Sequence, residues 1–171
     1  TLPVTTAGLA FWPMLYGTLT NEHPRLMDFL GVSHVTAAGE TMKWAARTNA
    51  LPLITGGQRP VFAGRAETLQ GLQSPDFNPR TMVFLPAELE GRLGITNQAS
   101  VRILSSQFQR QRVRVELEAD QPALVVVAQT YDRNCQAVVD GLEVPCLPAN
   151  HCFVAVPVAQ GRHIVELRYI H

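Results

Sequence analysis

The last third of the chain alternates apolar and polar positions with a period of two. From Gln111 to Ala119, Val113, Val115 and Leu117 fall on one side and Arg112, Arg114, Glu116 and Glu118 on the other. That pattern predicts a strand with one buried and one wet face. The final segment repeats it, with Val165, Leu167 and Tyr169 inward and Arg162, Glu166 and Arg168 outward. Between them, after a turn at Asp120-Gln121-Pro122, residues Ala123 to Ala128 are apolar at every position, which predicts a central strand covered on both sides. Val101 to Leu104 and Phe153 to Val156 add further strands. The region beyond residue 100 therefore carries about six or seven strands at the spacing of a sandwich.

The sharpest local signal is Asp140-Gly141 between apolar flanks. Both central residues of a type I′ turn need positive φ, so this pair predicts a two-residue hairpin loop and fixes its register. Val139 should oppose Leu142, Val138 Glu143, Ala137 Val144, Gln136 Pro145 and Cys135 Cys146. Pro145 then falls on a rung that needs no N–H.

The first hundred residues are less regular. Asn21 can cap a short helix through Leu26, Met27 and Leu30 that Gly31 ends in a left-handed conformation, and Val32 to Thr36 follows as a strand. Thr41 to Arg47 and Ala66 to Leu72 read as short helices. Leu51 to Thr55, Pro60 to Phe62 and Thr81 to Leu85 read as strands, and Ser74 to Pro79 as a loop. The predicted fold is mainly β and α+β overall: an antiparallel β-sandwich of jelly-roll or carbohydrate-binding-module type with a few short helices from the N-terminal third. It forms a single domain over 1–171, with an irregular α/β part (1–95) packed on the antiparallel strands (96–171).

Composition narrows the function classes. Fourteen basic and fourteen acidic residues give zero formal charge over 171 residues, so the chain has no general electrostatic footprint for nucleic acid. No apolar run approaches the roughly 20 residues of a membrane-spanning helix, and the start lacks the pattern of a signal peptide. The chain begins at Thr1 and is expected to be an excised piece or a processed product. Cys135, Cys146 and Cys152 leave one cysteine over in any pairing. Cys135–Cys146 is placed by the hairpin register, Cys146–Cys152 by a turn centred near Ala149, and three unpaired thiols stand beside both.

Reaction chemistry is sparse. The five histidines are scattered, with no spacing for a metal site, so no metal and no cofactor is expected. There is no Gly-x-Ser-x-Gly, and His151 and Cys152, adjacent in sequence, point to opposite faces of a strand. Glu116 and Glu118 share a wet face with arginines and read as a solvated strand surface. The stripe Arg110, Arg112, Arg114 could meet a phosphate-bearing substrate or lipid head group, but with Glu116, Glu118 and Asp120 continuing the same face it reads as a solvated edge. Tyr131-Asp132-Arg133-Asn134, in a loop between strands, is the best ligand-binding candidate.

Several stretches together resemble the C-terminal extracytoplasmic region of the YfhO-like family of bacterial multi-pass membrane proteins. They are Gln129-Thr130-Tyr131, Val138-Val139-Asp140-Gly141, Val144-Pro145, Ala149-Asn150, Phe153 to Val158 and Gly161 to Tyr169, preceded by Leu30-Gly31-Val32-Ser33-His34-Val35, Leu51-Pro52-Leu53, Glu67 to Leu72 and Asp76-Phe77-Asn78-Pro79-Arg80. Where that family has Tyr-Tyr-Pro-Gly-Trp, this chain has Tyr131-Asp132-Arg133-Asn134-Cys135 and keeps only the first tyrosine. The resemblance implies a soluble extracytoplasmic, periplasmic or cell-surface, domain tethered to the membrane-embedded remainder of a glycosyltransferase of the lipid-linked-donor type. It implies that catalytic acids lie outside this chain. The chain would then be non-catalytic and position a glycan acceptor, a lipid-linked saccharide or a partner. The role of the family's aromatic corner does not carry over to Asp132 through Cys135, so the binding candidates Tyr131, Asp132, Arg133, Asn134 and Asn150 rest on the loop reading alone. A stand-alone carbohydrate-binding module is the alternative, and a small hydrolase the third reading.

Overall fold

The computed structural model describes residues 24–36 and 43–169. Its centre is a sandwich of two antiparallel sheets. The five-stranded sheet runs in the order β10 (Leu142–Val144), β9 (Cys135–Val139), β13 (Gly161–Tyr169), β7 (Arg112–Ala119), β6 (Val101–Gln109). The four-stranded sheet runs β11 (Leu147–Ala149), β12 (Phe153–Val158), β8 (Ala123–Val127), β3 (Ile54–Gly56). Alternation in the sequence delivers the core between them: Val113, Val115 and Leu117 of β7 and Val165 and Leu167 of β13 meet Val125 and Val127 of β8 and Val154, Val156 and Val158 of β12.

The hairpin has the expected register, Val139 opposite Leu142, Val138 opposite Glu143 and Ala137 opposite Val144. Asp140 and Gly141 take φ of 53° and 86°, the left-handed pair a type I′ turn requires. Asp140 also anchors the turn to the next strand, its Oδ1 accepting from the Ile164 amide at 2.8 Å and its Oδ2 meeting His163 Nδ1 at 2.6 Å.

The uniformly apolar β8 is covered twice, as its sequence predicts: all five of its residues are buried. The second cover is a parallel unit made of β4 (Arg59–Ala63), helix α2 (Arg65–Gln73) and β5 (Met82–Pro86). Val83 and Leu85 of β5, with Ile95, pack on Leu124, Val126, Leu147, Ala149 and Ala155. Behind them Leu72 of α2, Phe77 and Phe84 join Leu26 and Phe29 of helix α1 (Pro24–Phe29) and Cys152. Gly71 permits this closeness, because a β-carbon there would lie 2.4 Å from Cζ of Phe84.

Four expectations are corrected. Thr41 to Arg47 is not a helix where it is described: Trp44–Ala46 forms strand β2, paired antiparallel with β1 (His34–Thr36). The Arg47 amide donates to the Ser33 carbonyl at 2.7 Å, and its guanidinium reaches Asp28 at 2.6 Å. Those bonds tie the segment back to the end of α1 and outweigh a weak local preference. The arginine stripe does not lie on an edge, since β7 is flanked by β13 and β6. Strand β6 runs on to Gln109, five residues past Leu104, with a bulge between Ile103 and Ser105. The turn after β11 centres on His151 rather than Ala149, pairing Ala149 with Phe153, so Cys146 and Cys152 are not opposed. The helix through Leu26 and Met27 is present and Gly31 follows it at φ 68°; Asn21, its expected cap, lies outside the described residues.

Candidate functional site

Among the described residues, no element covers the centre of the outer face of the five-stranded sheet, and the strand registers set its side chains in rows. One row crosses Gln107, Arg114, Glu166 and Val138 on β6, β7, β13 and β9, and the next crosses Gln109, Arg112, Arg168 and Gln136. The bulge in β6 decides which of its residues take part. One extra residue shifts the alternation, so that Ser105, Gln107 and Gln109 stand beside the outward residues of β7. Two concavities lie over these rows, of about 470 Å³ and 250 Å³, and both are lined by Arg112 and Arg114.

Glu166 organises the site. It is 7% exposed and takes hydrogen bonds from Arg112, from Arg114 Nη1 at 2.5 Å and from Arg168 Nη2 at 2.8 Å. The Arg168 hydrogen bond, then those of Arg112 and Arg114, pull its carboxyl down to about 2 against the opposing effect of burial. Glu166 is therefore anionic throughout the neutral range and fixes three guanidinium groups around one point. Farther along the same face, charges pair one to one: Arg102 with Glu118 at 2.5 Å, and Arg162 with Glu116. The Arg162 guanidinium holds the Glu116 carboxyl below the usual carboxylate range.

The loop singled out by sequence is built differently. Asp132 Oδ1 accepts from the Asn134 amide at 2.7 Å and its carbonyl accepts from Cys135 at 3.0 Å, an Asx turn that closes the loop on itself. Arg133 and Asn134 are exposed, while Tyr131 is half-buried against the sandwich core. Asn150 stands apart from them. It is 4% exposed and clamps the middle of β5, donating its backbone N–H to the Phe84 carbonyl and accepting from the Phe84 N–H through Oδ1, each at 2.8 Å. Beside the loop, Cys135 and Cys146 are neighbours as the hairpin predicts, with Sγ atoms 2.7 Å apart. A hydrogen bond from Cys146 lowers the Cys135 thiol, while the same contact and burial raise that of Cys146. Cys152 sits in the second apolar cluster, its thiol pushed up to about 12 by burial.

A third concavity, of about 410 Å³, opens at the start of α2, lined by Arg65, Thr68, Phe84, Glu88, Pro148 and His151 among others. Asn150 and His151 hold φ of 47° and 74° there, and burial, then the Arg65 charge, lowers the His151 imidazole. Among the described residues, its lining contains no serine or cysteine beside that histidine. Among the described residues, no group of three His, Cys, Asp or Glu side chains is arranged to hold a metal, and no helix is long and apolar enough to cross a membrane.

The arginines and Glu166 were visible as outward residues of two separate strands. Their convergence was not, because it depends on a pairing across about fifty positions of sequence. Comparison with protein-family models, with curated proteins and with solved structures finds no match to the chain.

Proposed function

We propose that this chain is a non-catalytic accessory domain that holds a glycan acceptor or partner against the outer face of its five-stranded sheet. In this reading it is the extracytoplasmic part of a multi-pass membrane protein of glycosyltransferase type, with the chemistry in the membrane-embedded remainder. The observation that carries the binding role is the outer face itself: two neighbouring rows that set Arg112, Arg114 and Arg168 among Gln107, Gln109, Gln136 and Glu166 over a rigid sheet, with concavities above them. Planar guanidinium and amide groups present fixed donors and acceptors to hydroxyl and acidic groups, and a sheet buried on its other side holds them still. The tether and the compartment are supported by the ordered resemblance to the YfhO-like family.

A carbohydrate-binding module that works without a membrane partner is the second reading, favoured by the same face, which is built entirely from residues 101–169. Two measurements test these readings. Calorimetric titration of the chain with a panel of neutral and acidic oligosaccharides should give saturable binding, and binding to none removes the glycan role. Membrane helices encoded upstream of Thr1 support the tethered form; a gene encoding only these residues removes it.

A further inference from the structure

The charge on the open face is unevenly distributed, and the imbalance has a location. Arg112 stands directly opposite Arg168 in the β7–β13 register, and like charges directly opposite destabilise a sheet pair. Among the described residues, the one carboxylate that Arg112, Arg114 and Arg168 all bind is Glu166, in the row of Arg114 and one row from the other two. Among the described residues, three guanidinium groups on one carboxylate leave an excess of two positive charges. Asp140 lines the far end of the larger concavity, but its carboxylate is taken up by His163 and the Ile164 amide. Glu143, exposed opposite Val138, makes that hairpin side acidic. The uncompensated charge is thus concentrated over Arg112 and Arg168, away from the hairpin.

Neighbouring rows behave otherwise, with Arg102 on Glu118 and Arg162 on Glu116. A sheet that needed only a neutral wet face could have continued that one-to-one pattern. Arg112, Arg114 and Arg168 keep 42%, 42% and 51% of their side chains exposed, so each has N–H groups available after satisfying Glu166. Arg112 Nε is buried without a partner. The two concavities share Arg112 and Arg114 and together reach from Gln107 and Gln109 on β6 to Val138 on β9. Three strand spacings make that a path of about 14 Å, running across the strands.

We propose that this groove binds an extended anionic saccharide, one bearing carboxylate or phosphate groups, laid across the strands with an acidic group over Arg112 and Arg168 and its polar substituents against Gln107, Gln109 and Gln136. The inference rests on the binding role proposed above and names the ligand class for the same face. Glu166 serves as a positioning residue: it fixes the arginines by occupying their inner side and leaves their outer side to the ligand. Lipid surfaces fit less well, because a planar anionic surface would also meet the exposed Glu143 of the hairpin, whereas an extended saccharide can set its acidic group over Arg112 and Arg168 alone.

The test is a titration of the chain with three oligosaccharides of equal length: one carrying uronic acid carboxylates, one carrying phosphodiesters, and one neutral. Either anionic probe should bind and the neutral one should bind at least tenfold more weakly, with affinity falling as salt rises from about 0.05 to 0.3 M. The difference between the two anionic arms identifies the acidic group. Arg112→Gln with Arg168→Gln should lose at least tenfold for the anionic probe. Arg102→Gln with Arg162→Gln, on the paired rows, should change it less than twofold. Circular dichroism and a thermal midpoint establish that each variant is folded, and Arg112→Lys, which keeps the charge, gives an intermediate loss. Equal binding of neutral and anionic probes, insensitive to Arg112 and Arg168, overturns the anionic assignment and leaves the glycan role standing. No binding of any of the three overturns both, as does binding to anionic vesicles in preference to every saccharide.

Discussion

The two sheets of the sandwich share one core but differ in what lies on their other faces. The second face of the four-stranded sheet is covered by the β4–α2–β5 unit, so β8 is buried at all five positions. No described element covers the corresponding face of the five-stranded sheet, and β7 alternates between buried Val113, Val115 and Leu117 and the outward Arg112, Arg114 and Glu116. The number of layers over a strand can therefore be read from its pattern: uniform apolarity means two covers, alternation means one. The difference also divides the labour. The covered face supplies rigidity, and the open one is where charge can collect without being buried.

The largest effect is expected from breaking the covered side. Leu124 is fully buried and packs among Val83, Leu85 and Ala155. Leu124→Ala should cost about 2–5 kcal/mol through lost transfer energy and the cavity left behind. Gln107→Ala, on the open face, should stay within about 0.5 kcal/mol. Chemical denaturation of both variants measures the contrast. Equal stability of the two variants would mean that the outer layer does not pack on β8.

That contrast marks what was legible in the sequence. The hairpin register, the doubly covered β8 and the alternating β7 and β13 follow from local rules, turn φ values and side-chain period, which need no knowledge of distant partners. The segment at Trp44–Ala46 departs from its helical expectation because its conformation is decided by Arg47 reaching Asp28 and Ser33. The parallel β4–β5 pair is not legible in the sequence, since each strand alone is ordinary and only their side-by-side placement is informative. The site was half legible. Arg112, Arg114, Glu166 and Arg168 each read correctly as outward, but an outward arginine is ordinarily a solvated one, and only the β7–β13 register turns four of these side chains into a cluster. Gln107 and Gln109 depend in addition on a bulge that leaves no composition signal at Leu104.

An intermediate effect should come from the centre of the open face. Glu166→Gln keeps the shape but leaves three guanidinium groups facing one another, with an expected loss of about 1–3 kcal/mol, moderated because the arginines are half in water. The pH dependence has a definite sign. The folded carboxyl titrates at about 2 and an unfolded glutamate at about 4.3, so this contribution is fully present above the unfolded value and is lost as pH falls toward 2. The wild-type chain should therefore lose stability more steeply than Glu166→Gln between about pH 4.3 and pH 2. Parallel acid-denaturation curves would show that the cluster contributes nothing, and the open face would then differ from the covered one only in solvation.

The smallest effect, and the finest test of the comparison, lies at Asp140, where the open face meets a turn whose geometry belongs to the backbone. Asp140→Asn preserves tolerance of the left-handed φ and can still accept from the Ile164 amide through its carbonyl oxygen. What it removes is the charge toward His163, whose hydrogen bond is the main reason the Asp140 carboxyl titrates below the ordinary aspartate range. The Asp140 side chain is 46% exposed, so solvent screening limits the expected loss at neutral pH to less than about 1 kcal/mol. The depressed carboxyl contributes stability above the usual aspartate value and loses it as pH drops through the lower folded value. The variant should therefore approach wild-type stability in acid while its hairpin amides keep their hydrogen-exchange protection. Loss of that protection in Asp140→Asn would show that the turn is held by its charge rather than by its φ angles, and that even this most readable feature of the sequence depends on the residues gathered around it.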